Sequence, residues 1–147
     1  MRCHFWGAVL VGVITTLPGR AQEFLGWEIL ADVQFESEYS ETWGVDILTA
    51  EFGEIVKSLE GNEVVLSGYM IPLDALGTSY VLSRIPNASC FFCGGAGPET
   101  VVSLQLQAQH LKRYRTDAYL TFKGILVLNV SNERQLNYVL REAEPFP

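Results

Sequence analysis

Five short strand-like segments, each bounded by turn-forming residues, constrain the fold of this chain most strongly. They are 60–73, 79–85, 99–107, 118–130 and 137–143. In the first, a Glu60-Gly61-Asn62 turn precedes the alternating run and Pro72 closes it. Short strands at this spacing predict a mainly β domain built as a small barrel or sandwich.

One helix is predicted ahead of these strands, in the stretch 49–61. Its apolar residues recur at i, i+3, i+4 and i+7 from Phe52, with Thr49 as the expected N-cap and Gly61 at the end. The preceding segment, 24–39, is expected to add a strand or to cover the barrel as an N-terminal extension.

The first 21 residues have the pattern of a secretory signal peptide. Arg2 precedes an apolar run over 5–17, and small residues, Gly19 and Ala21, stand at the −3 and −1 positions of a cleavage site. The run is shorter than the roughly 20 residues of a spanning helix. We therefore expect an exported protein, periplasmic or secreted, with a single domain over 22–147 and no stable membrane insertion of the mature chain.

The net charge of the mature chain limits the kinds of partner that the protein is expected to bind. Loss of residues 1–21 removes Arg2 and Arg20 and leaves 8 basic residues against 17 acidic ones, a net charge of −9. The only basic cluster is KRYR at 112–115, where Tyr114 could serve an aromatic binding face. An acidic surface disfavours nucleic acid as the partner, because phosphate binding relies on basic side chains.

The chemistry of the mature chain centres on Cys90 and Cys93, since Cys3 lies in the signal segment. A redox C-x-x-C motif of the thioredoxin type occupies the first turn of a helix, which lowers the pKa of the leading thiol. Here the sequence GGAGP follows Cys93 and cannot continue a helix. This disfavours a catalytic thiol-disulfide exchanger without removing it as a hypothesis.

A metal site is the second interpretation of the pair. In C-x-x-C-G knuckles the glycine turns the chain so that following amides donate to the thiolate sulfurs. Zinc requires four ligands, for which Glu99 and His110 are the weak candidates within the chain, whereas copper(I) accepts fewer.

A disulfide that pins the glycine-rich loop is the third interpretation, because exported proteins pass through oxidising compartments. In each case we expect Phe91 and Phe92 to differ in burial.

Signals for an enzyme are weak. No G-x-S-x-G, H-E-x-x-H or P-loop pattern occurs in the sequence. Asp74 is interpreted as a turn-capping residue, because no second carboxylate is fixed beside it by spacing.

Four stretches resemble a group of small exported bacterial proteins of uncharacterised function. They are WEILADVQF (27–35), GYMIPLD (68–74), YVLSRIPNASCFFCGGAGPETVV (80–102) and FKGILVLN (122–129). The resemblance implies an OB-like five-stranded barrel with one helix and an N-terminal extension. Some members of the wider group accompany zinc-handling or ABC-type transport systems, which implies a transport system or a protein partner. Other branches carry one cysteine and a proline run at this loop, so thiol chemistry is not implied for the whole group.

The sequence therefore predicts an exported, non-enzymatic accessory protein that binds zinc, copper or a partner protein through the loop 86–99. The alternatives are a thiol-disulfide redox protein that uses the same cysteines, and an interaction module held by a structural disulfide.

Overall fold

A computed structural model gives the fold of this chain and describes residues 23–86, 96–130 and 135–147. In chain order, its strands and helices are β1 Glu23–Phe24, α1 Trp27–Leu30, β2 Val33–Ser40, β3 Val45–Phe52, α2 Glu54–Ser58, β4 Glu63–Pro72, β5 Tyr80–Ser83, β6 Val101–Leu106, β7 Tyr119–Leu128 and β8 Tyr138–Pro145. Two 3₁₀ turns, Pro98–Thr100 and Ala108–His110, flank β6. The prediction of a mainly β fold is confirmed.

Five strands close into a barrel. Their order is β4, β5, β6, β8, β7, and β7 pairs again with β4. The β6–β8 pair is parallel, and the other pairs of the barrel are antiparallel. Each of the five segments predicted as a strand supplies one strand of the barrel, although all four residues of β5 are buried and do not alternate.

The two longest strands, β4 and β7, close the barrel by pairing with each other. The first part of β4 pairs with β7 and its last four residues, Tyr69–Pro72, pair with β5. Gly68 lies where the pairing changes, and a Cβ atom there would lie 2.6 Å from the carbonyl oxygen of Ser83 and 3.0 Å from Cζ2 of Trp27. Only glycine allows this approach, which brings Trp27 of α1 against β4.

The barrel interior is filled by alternate side chains of every barrel strand. All of them are buried, and they include Leu66, Met70, Tyr80, Leu82, Val102, Leu104, Phe122, Leu126, Tyr138 and Leu140. A five-stranded barrel of this kind is a packed core and has no central channel.

The predicted helix is shorter than expected and begins later. α2 covers only Glu54–Ser58, while Thr49, the expected N-cap, lies within β3. Gly53 is the N-cap, and the capping oxygen comes from Asp32, whose Oδ2 accepts hydrogen bonds from the amides of Ile55 at 2.9 Å and Val56 at 3.3 Å.

The segment 24–39 contributes both expected features, a cover and a strand, together with a second short helix. α1 has four residues and α2 has five, and no helix in the described part of the chain is long and apolar enough to cross a membrane.

Strands β2 and β3 form a separate two-stranded hairpin. On one face Phe35, Ala50 and Phe52 pack on the core, whereas the outer half carries the exposed side chains of Tyr39 and Leu48. The hairpin is therefore anchored at its base and extends past the core at its tip.

Candidate binding site at one end of the barrel

The loop that contains the two cysteines leaves the barrel from a closed stem. β5 and β6 pair antiparallel up to Ser83 and Val101, and beyond them the amide of Arg84 donates a 2.9 Å hydrogen bond to the carbonyl of Thr100. The buried hydroxyl of Ser83 accepts a hydrogen bond from the amide of Ile85 at 3.2 Å. Both ends of the loop are thereby fixed next to each other.

The second arm of the stem is the 3₁₀ turn Pro98–Thr100. Thr100 is buried, and its Oγ1 donates to the carbonyl of Gly97 at 2.7 Å while its amide donates to the same oxygen at 3.0 Å. The carboxylate of Glu99 folds back over Gly97, in the space that a side chain at that position would take. This places Glu99 at the mouth of the loop.

Glu99 also influences the barrel behind it. Burial raises the pKa of the Tyr138 hydroxyl well above its ordinary value, and the negative charges of Glu99 and Asp32 raise it further. The phenol therefore stays neutral, and its hydroxyl donates a 2.6 Å hydrogen bond to the carbonyl of Leu30.

Beside the stem lies a cleft of about 350 Å³, which we call the hairpin cleft. It lies between the overhanging β2–β3 hairpin and the end of the barrel. Its described lining residues are Ile47, Leu48, Thr49, Pro98, Val101, Asn129, Val130, Gln135, Leu136 and Asn137. The volume is at the lower end of the roughly 300–1,000 Å³ of ligand pockets.

Some polar side chains of the hairpin cleft form hydrogen bonds within the β7–β8 connection. Nδ2 of Asn129 donates to the carbonyls of Gln135 at 3.0 Å and Leu136 at 3.2 Å, and Nδ2 of Asn137 donates to the carbonyl of Asn129 at 3.3 Å. None of the described lining residues has a titratable side chain. The described lining of the cleft therefore offers mainly apolar contact.

The structure does not bring Glu99 and His110 together. They lie beyond opposite ends of β6, which at 3.3 Å per residue separates them by about 20 Å. His110 instead lies with Glu144, at 3.5 Å from Nε2 to Oε2, and the other oxygen of Glu144 binds Nζ of Lys123 at 2.7 Å. This ion pair holds the pKa of Glu144 below its ordinary value.

The cysteine pair itself, Cys90 and Cys93, lies outside the described residues, as do Phe91 and Phe92. Within the described ranges, no group of three or more His, Cys, Asp or Glu side chains is placed to hold a metal ion. The metal hypothesis thus stays a prediction about the loop, with Glu99 as its nearest described carboxylate.

Asp74 is a turn-capping residue, as predicted. Its carboxylate accepts hydrogen bonds from the amide and hydroxyl of Thr78 and from the amide of Ser79, the last at 2.6 Å.

Tyr114, in contrast, is not part of an exposed aromatic face. It is buried, its amide donates to the hydroxyl of Tyr80 at 3.1 Å, and its own hydroxyl donates to the carbonyl of His110.

The apolar lining of the hairpin cleft was not identified from the sequence. Leu48 and Val130 are more than half exposed, at 54% and 59%, although each lies in or beside a strand. Exposed branched residues next to turn signals were the available signal, but their convergence depends on contacts between four distant segments.

Comparison with family models and with curated proteins gives no match for this chain. Among solved structures, the chain is similar to a DUF3299 family protein from Pseudomonas aeruginosa PAO1, with 18% sequence identity and a TM-score of 0.43. The similarity covers 86% of this chain and 97% of the other. At these values the likeness carries no argument about the site, and the fold above follows from the strand pairing of this chain alone.

Proposed function

We propose that this chain is an exported, non-enzymatic accessory protein that binds zinc or copper(I), or a partner protein, through the loop between Pro86 and Glu99. The carrying observation is the stem: the 2.9 Å hydrogen bond from Arg84 to Thr100 fixes both ends of the loop on a rigid barrel. A site presented from a rigid element loses less conformational entropy on binding than a free loop does.

An OB-like barrel is the architecture we propose for the scaffold. The OB fold is a five-stranded Greek-key barrel that binds ligands through its loops and one face. The closed order β4-β5-β6-β8-β7, with one parallel pair, supports this assignment.

The thiolates of Cys90 and Cys93 would be the metal ligands, because ionised sulfur is the ligand that zinc and copper(I) prefer among protein side chains. Glu99 stands at the mouth of the loop and is one candidate for a further ligand. Glu99 and His110 lie about 20 Å apart along β6, so at most one of them can join the two thiolates at one ion within one chain. Zinc would then need a further ligand from outside the chain, whereas copper(I) would not.

The test is a competition for Zn²⁺ or Cu⁺ between the reduced protein and a chromophoric chelator. Metal uptake should release protons, because thiols ionise when they coordinate. Cys90→Ser and Cys93→Ser should each abolish uptake, whereas His110→Ala or Glu99→Ala should weaken it only if the site is completed within one chain. A loss of affinity in Glu99→Ala would identify that carboxylate as a ligand.

Stoichiometry separates the remaining cases. Binding of one metal ion per two chains, with no change of affinity in Glu99→Ala, would indicate that two copies of the chain each supply half of the site. No uptake by the fully reduced protein would overturn the metal proposal. Rapid turnover with a small disulfide substrate would favour the thiol-disulfide redox protein instead.

Export is tested separately, by the intact mass of the protein from its native host. We expect the mature chain to begin near Gln22. A retained Met1 would overturn the proposed export through a cleaved signal.

A further inference from the structure

The hairpin cleft opens onto an edge of β3. Three consecutive residues, Ile47, Leu48 and Thr49, line it. Successive side chains of a strand point to opposite faces, so a lining of three neighbours is expected where a cleft meets the strand edge. In the described part of the chain β3 pairs only with β2, on its other edge.

The outer half of the hairpin exposes large apolar side chains. Tyr39, Val45 and Leu48 are all exposed there, and Leu48 lines the cleft together with Val130 and Pro98. A two-stranded hairpin without a covering layer is marginally stable in water, and a third strand is the usual remedy. An exposed strand edge is also a template for pairing with another chain.

Charge decides what kind of strand fits. The hairpin 33–52 contains five acidic residues and no Lys or Arg. Glu36, Glu38 and Glu51 lie on the face opposite the core, as their register with Thr49, Ile47 and Gln34 requires. A second copy of this chain would bring two such acidic hairpins together, which like-charge repulsion opposes. A basic partner would be attracted.

We propose that the edge of β3 in the hairpin cleft binds an extended peptide segment of a partner protein, with apolar and basic residues in alternation, as a third strand. The apolar side chains enter the cleft between Leu48 and Val130, and the basic ones lie along the face of Glu36 and Glu51. Main-chain hydrogen bonds to β3 supply affinity, and the two faces supply specificity. This docking site lies beyond the proposed metal function and does not need the cysteines.

The probe is a capped octapeptide of alternating lysine and valine, compared with a capped octapeptide of alternating glutamate and valine. The protein is the full chain carrying Cys90→Ser and Cys93→Ser, so that loss of metal binding cannot affect the result. Titration calorimetry should show binding of the lysine peptide only. Its affinity should fall steeply as ionic strength is raised from about 0.02 M to about 0.5 M, since salt screens exposed charges.

Two matched comparisons locate the site. Leu48→Ala and Val130→Ala should each weaken binding by about tenfold, because each removes apolar area that the peptide would bury, whereas Leu76→Ala should not. Leu76 is 82% exposed and lies in the β4–β5 connection, away from the residues that line the cleft. The double variant Glu36→Gln/Glu51→Gln should weaken binding more than Glu23→Gln/Glu60→Gln, which removes the same charge elsewhere.

Amide exchange gives the geometric readout. Bound lysine peptide should slow exchange at β3 amides within 45–50 and leave β7 unchanged. Equal binding of both peptides, no binding of either, or equal effects of Leu48→Ala and Leu76→Ala would overturn the proposal. Circular dichroism of each variant establishes that it is folded before its affinity is compared.

Discussion

The hydroxyl of Tyr138 donates a 2.6 Å hydrogen bond to the carbonyl of Leu30, 108 residues earlier in the chain. Both residues are fully buried. The bond joins the first helix to the last barrel strand, beside the 3₁₀ turn that begins with Pro98. It therefore ties the N-terminal elements to the end of the barrel from which the cysteine loop leaves.

Tyr138→Phe should lower the free energy of unfolding by about 1–3 kcal/mol, because the carbonyl of Leu30 would stay buried without its donor. Urea unfolding followed by circular dichroism measures the change. Tyr119→Phe is the matched control, since Tyr119 is 61% exposed, and should change stability by less than about 0.5 kcal/mol. Equal effects would mean that the buried bond has no special weight.

Tyr138 also makes stability depend on alkaline pH. Its folded pKa is raised, first by burial and then by Glu99 and Asp32, above the ordinary value of 10.0. Its contribution to stability is therefore complete below pH 10 and is lost as pH rises above it, because only the unfolded state then releases the proton. Tyr138→Phe should flatten this decline. An unchanged slope in the variant would contradict the assignment.

Asp32 supplies the cap of α2 from outside the helix. Asp32→Ala should lower the free energy of unfolding by about 0.5–2 kcal/mol, since two amides at the helix start lose their acceptor. Asp32→Asn should recover most of the loss, because its side-chain oxygen can still accept. A loss in Asn as large as in Ala would indicate that charge, and not hydrogen bonding, is responsible.

This long-range cap explains why the helix was predicted too early. The apolar spacing from Phe52 to Leu59 runs across a junction, since Phe52 ends β3 and Val56 is the buried residue of α2. Gly53, which adopts an extended conformation at the junction, was the local sign that a helix did not run through. A capping group 23 and 24 residues away from the amides it caps cannot be recognised from local pattern.

The barrel strands were predictable because each is a short apolar-rich run bounded by its own turn signals. The hairpin cleft was not, because its lining comes from β3, the loop stem and both sides of the β7–β8 connection. Barrel closure and the packing of the hairpin base on the core together bring these segments to one place. Asp74 lies between these cases: its partners, Thr78 and Ser79, are within five residues, so local turn chemistry was sufficient.

Gly68→Ala should destabilise the barrel by about 1–3 kcal/mol, the usual cost of overpacking. The added Cβ would meet the carbonyl oxygen of Ser83, which is backbone and cannot rotate away. Chemical unfolding measures the loss, and Ser37→Ala, an exposed strand position, is the control. A neutral Gly68→Ala would mean that β4 and β5 can separate locally without cost.

Asp74 should make the β4–β5 turn sensitive to acid. Hydrogen bonds from Thr78, first from its amide and then from its hydroxyl, and from Ser79 hold the pKa of Asp74 well below its ordinary value of 3.8. A depressed folded pKa contributes stability that is present above pH 3.8 and is lost as pH falls below it, because the unfolded state then binds the proton first.

Urea unfolding at a series of pH values from about 5 to about 2 should therefore show a shallower decline in Asp74→Asn than in the wild type. Thr78→Ala, which removes the hydroxyl donor at 2.8 Å but keeps both amides, should lie between the two. Thr78→Ser should match the wild type, and identical slopes in all four proteins would show that the turn does not couple protonation of Asp74 to folding.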